Sequence, residues 1–146
     1  MHYPDLSPYR YAVSAPLARV FHVGWLSRDV DYRTGRVAED IVARLRSLAA
    51  TQPANQMRGY HNCEICNCDE PQFETPKGLY VLGAAEIWVP DPVLPTIYAA
   101  PNLIIHYIDA HGYQPPEVFV HAVGAVDSNR WNGADVCDRL LDRGSA

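Results

Sequence analysis

The chain has 146 residues, a net charge of −5 and 20% charged residues, with a pI near 5.6. That size suits one domain able to bury roughly 68–70% of its unfolded surface, and the acidic balance argues against a nucleic-acid binder, which normally shows a basic face. No run nears the ~20 apolar residues of a membrane span, and the opening MHYPDLSPYRYAVSAPL holds no apolar stretch of signal-peptide length, so a cytoplasmic protein is expected.

Residues 1–17, rich in proline and tyrosine, read as an extended arm lying on the body. RVFHVGWL (19–26) has the β-branched and aromatic bias of a buried strand, with Gly24 as a bulge or close-approach point. TGRVAEDIVARLRSLAA (34–50) places Val37, Ile41, Leu45 and Leu48 at helical spacing, with Thr34 or Gly35 as its start. Residues 51–77 are polar and proline-punctuated, and a loop of that length inside a compact domain needs something to hold it.

LYVLGAAEIWVP (79–90) reads as two strands, or as one bulged at Gly83, followed by a short extended piece around Ile97. Pro101 suits the first turn of a helix PNLIIHYIDAHG, whose end is signalled by Gly112. PPEVFVHAV opens another helix, with Pro116 near its first turn and Glu117 complementing the dipole. NGADVCDRLLDR makes a final amphipathic helix with Val136, Leu140 and Leu141 turned inward. Strands and helices are segregated, so the expected class is α+β: a small antiparallel sheet packed by about four helices, with a pinned loop.

The chemistry concentrates in the long loop, where YHNCEICNCDEP (60–71) carries three of the four cysteines. Cys63 and Cys66 form C-x2-C, and His106 and His111 form H-x4-H, the spacing of a tetrahedral Cys2His2 zinc site. The cysteine pair suits a tight knuckle in which backbone N–H groups point at the thiolates. On an undistorted helix a five-residue step turns about 140°, so the two histidines would not share a face. His111 precedes Gly112, however, and there the last turn can loosen and bring the ring back. His61 and Cys68 flank the knuckle and stand as alternative ligands. Residues 1–146 are accordingly expected to form a single zinc-binding domain.

Other readings of these residues are weaker. A redox C-x-x-C wants a following helix that lowers one thiol's pKa, whereas here NCDEP follows. Disulfides do not suit the expected compartment. Glu64 lies between the cysteines but fits neither the H-E-x-x-H nor the zinc-deaminase order, and reads as a solvated turn residue. Cys137 is expected in the core, and His2, His22 and His121 as surface or packing residues rather than catalytic ones.

YPDLSPYRY, VGWL, RGYHNCEIC and YAAPNLIIHYIDAHGYQPPEVF together resemble a family of small uncharacterised bacterial proteins. Its members carry R-G-x-H-x-C-x-x-C followed by Y-x-A-P…H-Y-x-x-x-H-x-Y-x-P-P. The resemblance implies metal binding with no assigned activity, and it places the ligands at Cys63, Cys66, His106 and His111, with His61 also on a motif position. The extra Cys68 departs from the pattern.

A closed site of four protein ligands favours a structural zinc and a non-enzymatic protein, expected to bind a basic protein partner as an immunity-like, antitoxin-like or adaptor module. No catalytic residue is assigned, and neither nucleic acid nor membrane is expected as a partner. The competing expectations are a zinc-dependent hydrolase with one open coordination position, and a thiol or metal sensor using Cys68.

Overall fold

A computed structural model describes residues 1–68 and 70–141. The elements follow in the order β1 (Val20–His22), α1 (Glu39–Thr51), β2 (Gln72–Thr75), β3 (Gly78–Val81), β4 (Glu86–Pro90), β5 (Ile97–Pro101), α2 (Ile104–His111), α3 (Glu117–Ala125) and α4 (Gly133–Leu140). The class is α+β. The main sheet has the order β1-β5-β4, and β2 and β3 form a separate hairpin.

This sheet is mixed, where an antiparallel one was expected. β4 runs antiparallel to β5, from Glu86↔Pro101 to Pro90↔Ile97. β1 lies parallel to β5, from Val20↔Ile97 to His22↔Ala99. A parallel pair requires a long crossover, and everything from α1 to β4 supplies it. Both faces of the central strand are covered, which is why Tyr98, Ala99 and Ala100 are all buried. Pro101 closes β5 rather than opening a helix. At a strand end the missing N–H interrupts no ladder, and α2 begins only at Ile104.

α1 starts later than its periodicity suggests. Thr34 bridges Tyr113, and the Gly35 N–H donates to the Gly112 carbonyl at 3.0 Å, so residues 33–35 are used in pairing to the chain beyond α2. Ile41, Val42, Leu45, Leu48 and Ala49 then form the buried stripe of α1. Ile41, Leu45, Leu48 and Ala49 of that stripe join Ile87, Val89, Ile104, Ile105, Phe119 and Val123 in the larger of two core clusters.

The N-terminal arm belongs to the second cluster. Tyr3 and Pro8 make bridges to Trp25 and Phe21, and Tyr9 is fully buried beside Val20, Trp25, Trp88 and Ala99. α4 closes the same cluster through Cys137, while Leu140, expected inward, is exposed. Gly133 sits where a Cβ would lie 3.2 Å from that of Trp88, so the start of α4 packs backbone-close on β4. No helix among the described residues is long and apolar enough to cross a membrane.

Candidate metal centre

Two separate pieces of chain meet at this site. The first is the turn Cys63–Cys66, held against the end of the sheet through Gly83. Gly83 has φ +114, and its own N–H donates to Asn102 Oδ1 at 2.7 Å. Its carbonyl accepts the His61 N–H at 2.8 Å. A Cβ at Gly83 would collide with the His61 carbonyl oxygen, so only glycine lets the loop segment around His61 lie this close. From outside, Arg28 donates from Nε to the Glu64 carbonyl at 3.0 Å, and its Nη2 also reaches Asn67 Oδ1. Asn67 takes φ +55, which turns the chain back after Cys66.

Within this turn the N–H groups of Ile65 and Cys66 are directed at the Cys63 sulfur. Cys63 is fully buried, whereas Cys66 is exposed. Burial pushes the Cys63 thiol up, and the two backbone donors pull it part of the way back. The thiol thus holds its proton until a cation takes its place, and the donors are already aimed at the thiolate that results.

The second piece is α2. Its apolar residues Ile104, Ile105 and Tyr107 bury one side, which turns His106 toward the knuckle. The helix stops at His111 because Gly112 takes the left-handed conformation, φ +63, and returns its N–H to the Tyr107 carbonyl. There the His111 ring comes round to the His106 ring, with centroids 5.1 Å apart and planes at 80°. Burial, and then the neighbouring His111, hold the His106 imidazole below its ordinary pKa, so it favours the neutral, ligating form.

Cys63 Sγ lies 3.4 Å from His111 Nε2, and Cys66 Sγ lies 3.4 Å from His106 Nε2. The four donor atoms all fall within 4.8 Å of one another, and among the described residues these four can hold a metal ion. Metal–sulfur and metal–nitrogen bonds of about 2.3 and 2.0–2.1 Å, set tetrahedrally, separate S from N by about 3.5 Å. The spacing already matches that edge.

The other residues singled out by sequence lie outside this group. His61 Nε2 is 3.2 Å from the Tyr11 hydroxyl instead. Cys68 offers its carbonyl to the Cys63 N–H at 3.4 Å, so its backbone shapes the knuckle. Glu64 is an exposed carboxylate, 2.6 Å from the Met1 ammonium. Cys137 is core, and His121 is exposed on α3. His22 is fully buried, stacked on Tyr3 with centroids 4.0 Å apart, and its Nε2 accepts the Arg10 N–H at 3.1 Å.

Sequence reasoning missed Arg28, Gly83 and Asn102 as supports of the knuckle. Only the glycine carried a signal, having been read as a bulge. It also missed Glu86, which is 2% exposed and accepts from Tyr9, Asn55 and Trp88.

Fold and site together define an α+β protein with a Cys2His2 donor cluster joining a loop knuckle to a helix end. The chain belongs to the family described as Domain of unknown function (DUF7919), whose model matches residues 1–124. That span contains all four donors. Neither a curated protein nor a solved structure matches the chain.

Proposed function

We propose that this chain is a non-enzymatic binding module whose fold is locked by a structural Zn2+ on Cys63, Cys66, His106 and His111. The observation that carries the reading is the pair of S–N distances, both 3.4 Å, made by ligands from two segments. Two thiolates and two imidazoles suit zinc and disfavour Mg2+ or Ca2+, which take oxygen donors. Two thiolates also cancel the charge of a divalent ion, and four protein donors leave no position for a reactive water. An acidic chain with such a closed centre fits a basic protein partner, recruited by charge, in the manner of an immunity protein, antitoxin or adaptor.

Metal analysis of the purified protein tests the centre. One zinc per chain is expected, retained in Cys68→Ser and His61→Ala and lost in Cys63→Ser and His111→Ala. The Co2+-substituted protein should show tetrahedral thiolate absorption that azide leaves unchanged. A spectrum shifted by azide would replace this reading with the hydrolase, which keeps one exchangeable position. Stoichiometric capture of a basic protein by the immobilised zinc form supports the partner; capture of none removes it.

A further inference from the structure

A cavity of about 350 Å³ opens beside the knuckle, between the N-terminal arm, the start of β4 and the approach to α2. Its walls are aromatic and soft: Tyr11, Trp25, Met57 and Tyr107. The Tyr11 and Trp25 rings stand 4.8 Å apart, tilted at 41°, and form one corner. The polar lining includes two carboxylates, Glu64 at the rim and Glu86 in the interior, and no lysine or arginine is among the described residues lining it. We propose that this cavity binds an alkylammonium group, seated against the faces of Trp25 and Tyr11 and drawn in by Glu64 and Glu86.

The electrostatics and the chemistry agree on the class of ligand. Ring faces carry negative quadrupole density and attract a desolvated cation, and an apolar pocket with a few placed polar groups is the ordinary form of a small-ligand site. Glu86 accepts hydrogen bonds from Tyr9, Asn55 and Trp88. Its negative charge is felt inside the cavity, where, after burial, it is the next cause raising the Tyr11 phenol. At the rim, Glu64 already holds one ammonium, that of Met1, at 2.6 Å. An anion entering this space would meet two carboxylates, with the Met1 ammonium, already paired with Glu64, as the one fixed cation in the described lining.

The ammonium has two sources of the same chemistry, a free small amine or a lysine side chain of a basic partner, and the probes below separate them. The cavity differs from the metal centre, although Glu64 and His61 are carried by the knuckle, so ligand discrimination can be read whether or not zinc is the resident ion.

The test is an NMR titration of the full chain as purified, following the Trp25 indole N–H and the Gly83 amide. Phenethylammonium should give saturable shifts at both, with 2-phenylethanol and 3-phenylpropionate at least tenfold weaker. Nα-acetyl-lysine methylamide should bind in preference to its Nε-acetylated form if the source is a partner's lysine. A free amine as source instead puts phenethylammonium well ahead of both. Glu86→Gln and Glu64→Gln should each weaken phenethylammonium severalfold, and Trp25→Leu should abolish the saturable shift. Should the Glu86 variant not fold, the comparison of cation, alcohol and carboxylate on the unaltered protein still decides. Equal binding of the alcohol or the carboxylate, or no saturable shift with either amine, overturns the proposal.

Discussion

Cys63 Sγ stands 3.4 Å from His111 Nε2 across 48 residues of chain. The contact exists because the knuckle and the helix end are each fixed by something else. Gly83 and Arg28 hold the turn, and Gly112 ends α2 at the residue where His111 swings toward His106. A metal ion bound there ties the polar loop to α2, whose Ile104, Ile105 and Tyr107 belong to the larger core.

Chelation is therefore expected to loosen the loop without melting the whole chain. The β1-β5-β4 sheet and the α1–α3 contacts rest on many apolar residues of the larger core, of which Cys63 is the one donor. Zinc at a thousandfold over its Kd contributes about 4 kcal/mol, which for a chain of this size is about 8–16 °C in Tm. Limited proteolysis after chelation should cut first between residues 56 and 71, with the helical circular dichroism largely kept. An unchanged Tm and cleavage pattern would refute the stabilising role.

The donor set was legible in the sequence because ligand chemistry is local: two cysteines at C-x2-C and two histidines in the last turns of a helix that ends before Gly112. α2 and α3 were legible too, through Gly112 and Pro116 as punctuation. What could not be read was settled by partners far along the chain. Thr34 and Gly35 pair with residues 112–113 and so stay out of α1. Pro101, a good helix opener by local rules, is instead claimed by β4 through Glu86. β2, inside the polar loop, alternates between exposed and half-buried residues, so no apolar face announced it, whereas β3 and β4 fall in the stretch 79–90 that reads as two strands. Leu140 turns outward because the small Gly133 and Cys137 let α4 approach β4 on that side.

His22 makes the stability pH-dependent by a route separate from the metal. Burial lowers its pKa to about 4, and Arg10 adds to the effect. Tyr3, Tyr9 and Trp25 pack around the ring, and Nδ1 has no hydrogen-bond partner. The unfolded histidine titrates near 6.5, so between about 6.5 and 4 the unfolded chain binds more protons. The contribution is whole above pH 6.5 and is lost as the pH falls through this window, about 3 kcal/mol in all. Imidazole NMR should place the His22 midpoint near 4, and His22→Gln should flatten that part of the stability profile. A midpoint above 6 would contradict it.

Asp5 ties the N-terminal arm to the far end of α2. One carboxylate oxygen accepts the Tyr113 hydroxyl at 2.8 Å, and the other accepts the Gly24 N–H at 2.9 Å. Tyr113 is fully buried, and burial followed by the Asp5 charge raises its phenol. Asp5→Ala would leave the buried Tyr113 O–H without its acceptor, the Gly24 N–H alone remaining beside the oxygen, at a cost of about 1–3 kcal/mol. Tyr113→Phe should cost less, because it removes the buried donor along with the bond. A double-mutant cycle in urea should give a coupling of about 1.5–3 kcal/mol, as for a hydrogen bond to a charged group. Additive effects would mean that the arm is held by its aromatic packing alone.

Gly83 and Gly112 offer a contrast that isolates close packing from backbone strain. Both have positive φ, but a Cβ at Gly112 would meet nothing within 4 Å, whereas one at Gly83 would strike the His61 carbonyl and lie 3.1 Å from the His61 nitrogen. Gly112→Ala should thus cost only the left-handed penalty, about 1–2 kcal/mol. Gly83→Ala adds a collision with backbone that can be relieved only by lifting the His61 segment, and Cys63 follows two residues later. It should lose about 3 kcal/mol or more. It should also weaken metal binding by at least tenfold in a competition with a colorimetric chelator. Gly112→Ala carries its strain at the other half of the site, next to His111, and without a collision it should keep the ion within a few fold. Equal metal affinity in the two variants would show that the knuckle does not depend on the close approach at Gly83.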